Sequence, residues 1–98
     1  MANFDRIYEH EELCKDLHYL YVRKNNAYGN SFGETFDKLG IISAITRISD
    51  KYNRLVNLAI NPKIDCGDES VIDTLKDLSN YCLMTILELK KKECDTVE

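Results

Sequence analysis

The 98-residue chain has no tryptophan, a single proline (Pro62) and only four glycines. Few positions can therefore break an element. No apolar run approaches the roughly 18 residues needed to cross a bilayer, which excludes a membrane-spanning role. The opening residues Met1-Ala2-Asn3-Phe4-Asp5-Arg6 lack the basic-then-apolar layout of a signal peptide, so a cytoplasmic location is expected. There is no basic surplus either. Acidic residues outnumber basic ones 17 to 13, for a net charge of −4. A broad basic face for duplex nucleic acid is not expected from that balance. No CxxC pair exists among Cys14, Cys66, Cys82 and Cys94, whose spacings are 52, 16 and 12 residues, so metal-ligand geometry is not encoded locally. The four read most simply as reduced thiols behaving as small apolar residues. No glycine-rich phosphate loop and no spacing for a Ser-His-Asp or Cys-His pair is present. His10 and His18 read as surface residues.

What is present is helical periodicity. The length suits one domain, 1–98, without room for separate catalytic and regulatory domains. Asn3 is a candidate cap for a first helix with Ile7, Cys14, Leu17 and Tyr21 on one side. That pattern stops near Asn25-Asn26. The stretch Ala27-Tyr28-Gly29-Asn30-Ser31-Phe32-Gly33 reads as a loop, followed by a short turn over 34–38 before Gly40. From Ile41 the apolar positions Ile41, Ile45, Ile48, Tyr52, Leu55 and Ala59 form a stripe that demands a hydrophobic partner. Asn61-Pro62 ends that helix, because proline disfavours helical dihedrals in the residue before it. Asp68 is the candidate cap of a third helix, with Val71, Leu75, Leu78, Cys82, Ile86 and Leu89 on one face. Lys90-Lys91-Lys92 favours its C-terminal end. The last six residues are expected to fray. The expected fold is all-α: a small antiparallel bundle of three main helices, too thin in the core to stand alone and completed by homo-oligomerisation.

Three features carry chemistry. Glu69, Asp73, Asp77 and Asn80 share one helix face within about 80° of rotation. Oxygen ligands in a row suit a hard cation such as Mg²⁺. The same face lies away from the apolar stripe, so a solvated surface explains it as well. Arg47, Lys51 and Arg54 form a basic strip at i, i+4 and i+7, suited to clamping phosphates, or to pairing with Asp50 along the helix. The segment Lys24-Asn25-Asn26-Ala27-Tyr28-Gly29-Asn30-Ser31-Phe32 combines a cation, amides and aromatics. Aromatics can stack on a base while amides read its edges. The alternative is a connecting loop whose Tyr28 and Phe32 cover the bundle end.

The order Lys24-x3-Tyr28-Gly29-x-Ser31-Phe32, Gly40, Arg47-Ile48-x-Asp50-Lys51-x2-Arg54-Leu55, then Glu69-Ser70-x2-Asp73-Thr74-Leu75-x-Asp77-Leu78-x-Asn80-Tyr81 resembles the phage nucleotide-modification-associated domain family. It is similar, more distantly, to the all-α MazG-like nucleotide pyrophosphohydrolases. The likeness spans about 23–89. It implies a helical, oligomeric protein of phage or bacterial nucleotide metabolism. MazG-like enzymes hold Mg²⁺ with acidic pairs on two helices, and Glu69 and Asp73 match the second pair. Where the first would stand, Asp50 is the lone carboxylate, among cations.

The expected function is therefore nucleotide binding without turnover, with no cofactor required. In a phage, acting in the host cytoplasm, such a binder would sequester a nucleotide or a cyclic, nucleotide-derived immune signal. Its ligand would meet Lys24, Asn25, Tyr28, Ser31, Phe32, Arg47, Lys51, Arg54, Asn80 and Tyr81. The alternative is a Mg²⁺-dependent pyrophosphohydrolase with Asp50, Glu69, Asp73 and Asp77 around the metal. A third reading is a structural or protein-binding bundle.

Overall fold

Asp5, not Asn3, starts the first helix: its carboxylate accepts the backbone N–H groups of Ile7 and Tyr8 at 3.1 and 3.2 Å. Those donors have no partner inside the helix, and Asp5 has the extended backbone a cap requires. The computed structural model describes residues 3–61 and 71–96, and these hold four helices and no strand: α1 (Arg6–Tyr28), α2 (Ser31–Leu39), α3 (Ile41–Ile60) and α4 (Val71–Thr96). The fold is all-α.

Four helices rather than three follow from how little the chain does to stop α1. Asn25, Asn26 and Ala27 contain neither glycine nor proline, so the helix runs through them to Tyr28. Gly29 ends it at φ 69°, a left-handed conformation that glycine adopts without a Cβ penalty, and donates its N–H to Asn25 O at 2.8 Å. The expected 27–33 loop therefore shrinks to Gly29 and Asn30, and the expected short turn is the nine-residue α2. Gly40 repeats the device at φ 77°, donating to Phe36 O, and α3 follows at once. Helix α3 ends at Ile60 beside Asn61-Pro62, as its sequence indicates. Asp68 and Cys66 lie outside the described residues. The lysine run does not end α4, which continues to Thr96 with no basic residue in its last turn, so residues 93–96 are helical rather than frayed.

The chain falls into two compact units, Met1–Asn30 and Ser31–Glu98. The first is α1, where the Arg23 guanidinium lies over the Tyr19 ring at 5.8 Å. Its expected apolar side is only partly covered: Ile7 and Cys14 are exposed, Leu17 and Tyr21 half-buried. In the second unit α3 and α4 pack against each other, with α2 touching both. Lys51 pairs with Asp77, and Lys91 with Asp37, the latter in α2 just before α3. Partner numbers thus rise along α4 as they fall from α3 back into α2, so α3 and α4 are antiparallel. Helix α2 is held to one side of that hairpin by Phe36, which is 1% exposed and covered by the Lys92 ammonium at 5.5 Å from its ring.

The buried sides of α3 and α4 match the expected ones only at Ile48, Leu55 and Leu78, which are half-buried. Among the described residues only Phe36 and Ala44 are buried hydrophobic side chains. The stripe residues Ile41, Ile45, Tyr52, Val71, Leu75, Cys82, Ile86 and Leu89 are exposed. Beside Ile48 and Leu55, the inward-facing residues are Ala44, Lys51 and Leu58 from α3, and Thr74, Asp77, Tyr81, Thr85 and Glu88 from α4. The α4 row steps by 3, 4, 4 and 3, a helical seam written in polar residues. Cys14, Cys82 and Cys94 are free thiols but exposed, not packed as small apolar residues.

Candidate functional site

The site grows from the antiparallel register of α3 and α4. Lys51 and Asp77 meet across the seam, Nζ to Oδ2 at 3.1 Å, with side chains only 22% and 18% exposed. Charges so far from solvent interact strongly but lose hydration, so this pair adds little net stability. Three residues before Asp77, Thr74 is fully buried, and three residues after it Asn80 is 8% exposed. Glu88, further along the same helix, buries Oε1 with no hydrogen-bond partner among the described residues.

Helix geometry decides which side of the seam the rest occupy. At about 100° per residue, Arg47 and Arg54 stand roughly 60–80° from Ala44 in one rotational sense. Asp73, Asp77 and Asn80 stand roughly 60–120° from Thr74 in the same sense. Because the two helices run in opposite directions, equal rotations bring both sets to one side of the hairpin. That is the side on which α2 lies, as the Lys91–Asp37 pair requires. There Phe32 of α2 stacks on Tyr81 of α4, ring centroids 6.0 Å apart and planes 21° from parallel. One side of the hairpin thus gathers a basic strip, two carboxylates, a buried amide and an aromatic pair. Arg47 and Asp73 are exposed at its rim, while Arg54 is half-buried.

The acidic face of α4 is thus not the solvated side of its helix. It turns toward the basic strip, and one carboxylate is already engaged by it. Asp50 is exposed on α3, and Glu69 lies outside the described residues. Among the described residues no three His, Cys, Asp or Glu side chains gather as a metal site. Lys24, Asn25 and Tyr28 belong to α1 in the first unit, while Ser31 opens α2 in the second, so the 24–32 segment is not one loop. Thr74 and Glu88 escaped the sequence reading. Their signal was legible: with Asp77, Tyr81 and Thr85 they repeat at seam spacing, but polar residues at that spacing ordinarily mark the solvated face.

Residues 24–89, a stretch holding every site residue named above, match the family described as nucleotide modification associated domain 1. No curated protein and no solved structure gives a match.

Proposed function

The chain belongs to the nucleotide modification associated domain 1 family, and on that premise we propose that it binds a linear or cyclic nucleotide and retains it without turnover. The observation carrying this reading is the Lys51–Asp77 pair. In a hydrolase of the MazG-like kind, Asp77 would share a Mg²⁺ with other carboxylates. Here an ammonium 3.1 Å from its Oδ2 supplies the positive charge and repels a divalent cation from the same oxygen. Asp77 therefore fits Mg²⁺ poorly. Binding needs no metal when cations of the protein face the phosphates directly. Arg47 and Arg54 are the phosphate ligands of this reading, since a guanidinium offers forked donors. The Phe32–Tyr81 pair is the surface on which a base stacks, and Asn80 supplies edge hydrogen bonds. Lys24, Asn25 and Tyr28, carried by the other unit, are not needed for it.

The test incubates the protein with linear and cyclic nucleotides, with and without Mg²⁺, and chromatographs the solution before and after heat denaturation. Capture without Mg²⁺, followed by return of the intact ligand on denaturation, is the expected result. Pyrophosphate released only with Mg²⁺, and lost in Asp73→Asn, would establish the hydrolase instead. No capture of any nucleotide, with folding intact in Arg47→Ala and Asp73→Ala, would leave a structural bundle. Once a ligand is known, Arg54→Ala should weaken its binding by about 1.5–3 kcal/mol in titration calorimetry, the range for a charged hydrogen bond. Unchanged affinity removes Arg54 from the site.

A further inference from the structure

Residues 9–16 of α1 carry four carboxylates (Glu9, Glu11, Glu12 and Asp16) against one ammonium, that of Lys15. Lys15 is itself engaged, 3.9 Å from Glu11 and 3.6 Å from Glu12. This stretch of the helix is therefore net negative and draws cations to it. Its other titratable side chains are His10 and Cys14. Four residues apart on a helix, they stand about 40° from each other on one face, one turn along. The contact is made: Cys14 Sγ lies 3.8 Å from His10 Nδ1, and both side chains are exposed. The spacing of the cysteines among themselves gives no sign of this pair, because the partner is a histidine.

At that length a thiol–imidazole hydrogen bond is weak, but the separation suits two donors to one metal ion. Zinc bonds of about 2.3 Å to sulfur and about 2.05 Å to nitrogen, at a tetrahedral angle, set the donors about 3.6 Å apart. The observed 3.8 Å asks that angle to open only to about 120°. We infer that His10 and Cys14 form a two-donor site for a borderline-soft divalent ion of the zinc class. Thiolate and imidazole select such an ion over Mg²⁺ or Ca²⁺, which prefer oxygen. Binding forms a sulfur–metal bond and releases the thiol proton to solvent, with no change of oxidation state. No third His, Cys, Asp or Glu among the described residues gathers with them, so water completes the coordination. Cys14 also lines an open groove on α1 with Glu11, His18 and Tyr19, which gives the ion a path in. Both donors belong to one helix, so the site needs nothing from the α3–α4 hairpin and stands whether or not a nucleotide is captured.

Co²⁺ is the probe, because its bond to a thiolate gives a near-ultraviolet charge-transfer band. Titrated into the full chain with its thiols kept reduced, Co²⁺ should produce that band and saturate at one ion per chain. Zn²⁺ should bleach it, and excess Mg²⁺ should not. Cys14→Ser and His10→Ala, both at exposed positions of α1, should each lose the band at the Co²⁺ concentration that saturates the wild type, with helical content unchanged. His18→Ala should keep it, as should the triple variant Cys66→Ser, Cys82→Ser, Cys94→Ser. No band, a band that survives Cys14→Ser or His10→Ala, or one lost in His18→Ala or the triple variant would each overturn the inference.

Discussion

The two sides of the α3–α4 hairpin invert the usual distribution of side chains. One keeps Lys51, Asp77, Thr74 and Asn80 largely from water, while the other leaves Ile45, Tyr52, Leu75 and Ile86 about half exposed. Turning α4 by about a quarter revolution would exchange the two, since its apolar stripe is centred roughly 80° from Thr74. Each apolar side chain fully covered by such a turn would gain on the order of 1.5–3 kcal/mol. A lone hairpin selected for stability would make that turn. The orientation of α4 is therefore set by the polar seam rather than by burial of its apolar stripe. A buried ion pair is a poor stabiliser, so what it holds is position.

The strongest way to break this comparison is through α2, because Phe36 is, among the described residues, the one large apolar side chain fully buried. Phe36→Ala should lower stability by about 3–5 kcal/mol, the cost of emptying an aromatic site in a core. Denaturant unfolding at fixed protein concentration measures it. A loss under about 1 kcal/mol would mean that α2 does not hold the hairpin in its orientation.

The ion pair gives the next largest effect and the sharpest contrast. Asp77→Ala leaves the Lys51 charge opposite a vacated partner and should cost about 1–3 kcal/mol. That is below the value for fully buried pairs, because each side chain keeps about a fifth of its exposure. Lys51→Met combined with Asp77→Leu should recover most of that loss, since matched apolar residues often replace such a pair at no cost. The same double variant should no longer capture nucleotide. A double variant as unstable as the single one would show that the seam is charged for the sake of the fold.

How much of this the residues disclose follows from what each signal measures. Apolar periodicity located α3 and α4, and Asn61-Pro62 marked the end of α3, because both are local. Which side of each helix turns inward is not local. The stripes at Ile41–Ile45–Tyr52 and Val71–Leu75–Cys82 record what must eventually be covered, and do not say by which surface. Reading them as the core of one chain left a solvated surface as one of two explanations for Asp77 and Asn80. The basic strip and the acidic face were both legible as spacings on their own helices. Their meeting at Lys51 and Asp77 depends on the register of two helices joined through residues 61–70. The extent of α1 was missed for a different reason: asparagine and tyrosine are weak helix formers, and a weak preference at 25–28 is overridden once a preceding helix is propagating.

The smallest effect lies at the end of the hairpin and sharpens the comparison by its size. Lys91 and Asp37 are 3.6 Å apart on the same side as Lys51 and Asp77, yet each side chain is more than half exposed. In that setting hydration competes with the pair and salt screens it, so Lys91→Ala should change stability by about 0.5 kcal/mol or less. Half-molar salt should erase the difference. The same substitution should leave nucleotide capture unchanged, because Lys91 stands about four turns along α4 from Asp77. Two ion pairs of the same chemistry on one side of one hairpin would then differ several-fold in consequence through burial alone. A loss from Lys91→Ala as large as that from Asp77→Ala would instead mean that α2 is docked by charge as much as by Phe36. The asymmetry between the two sides of the hairpin would then owe less to the seam than to the helix laid across it.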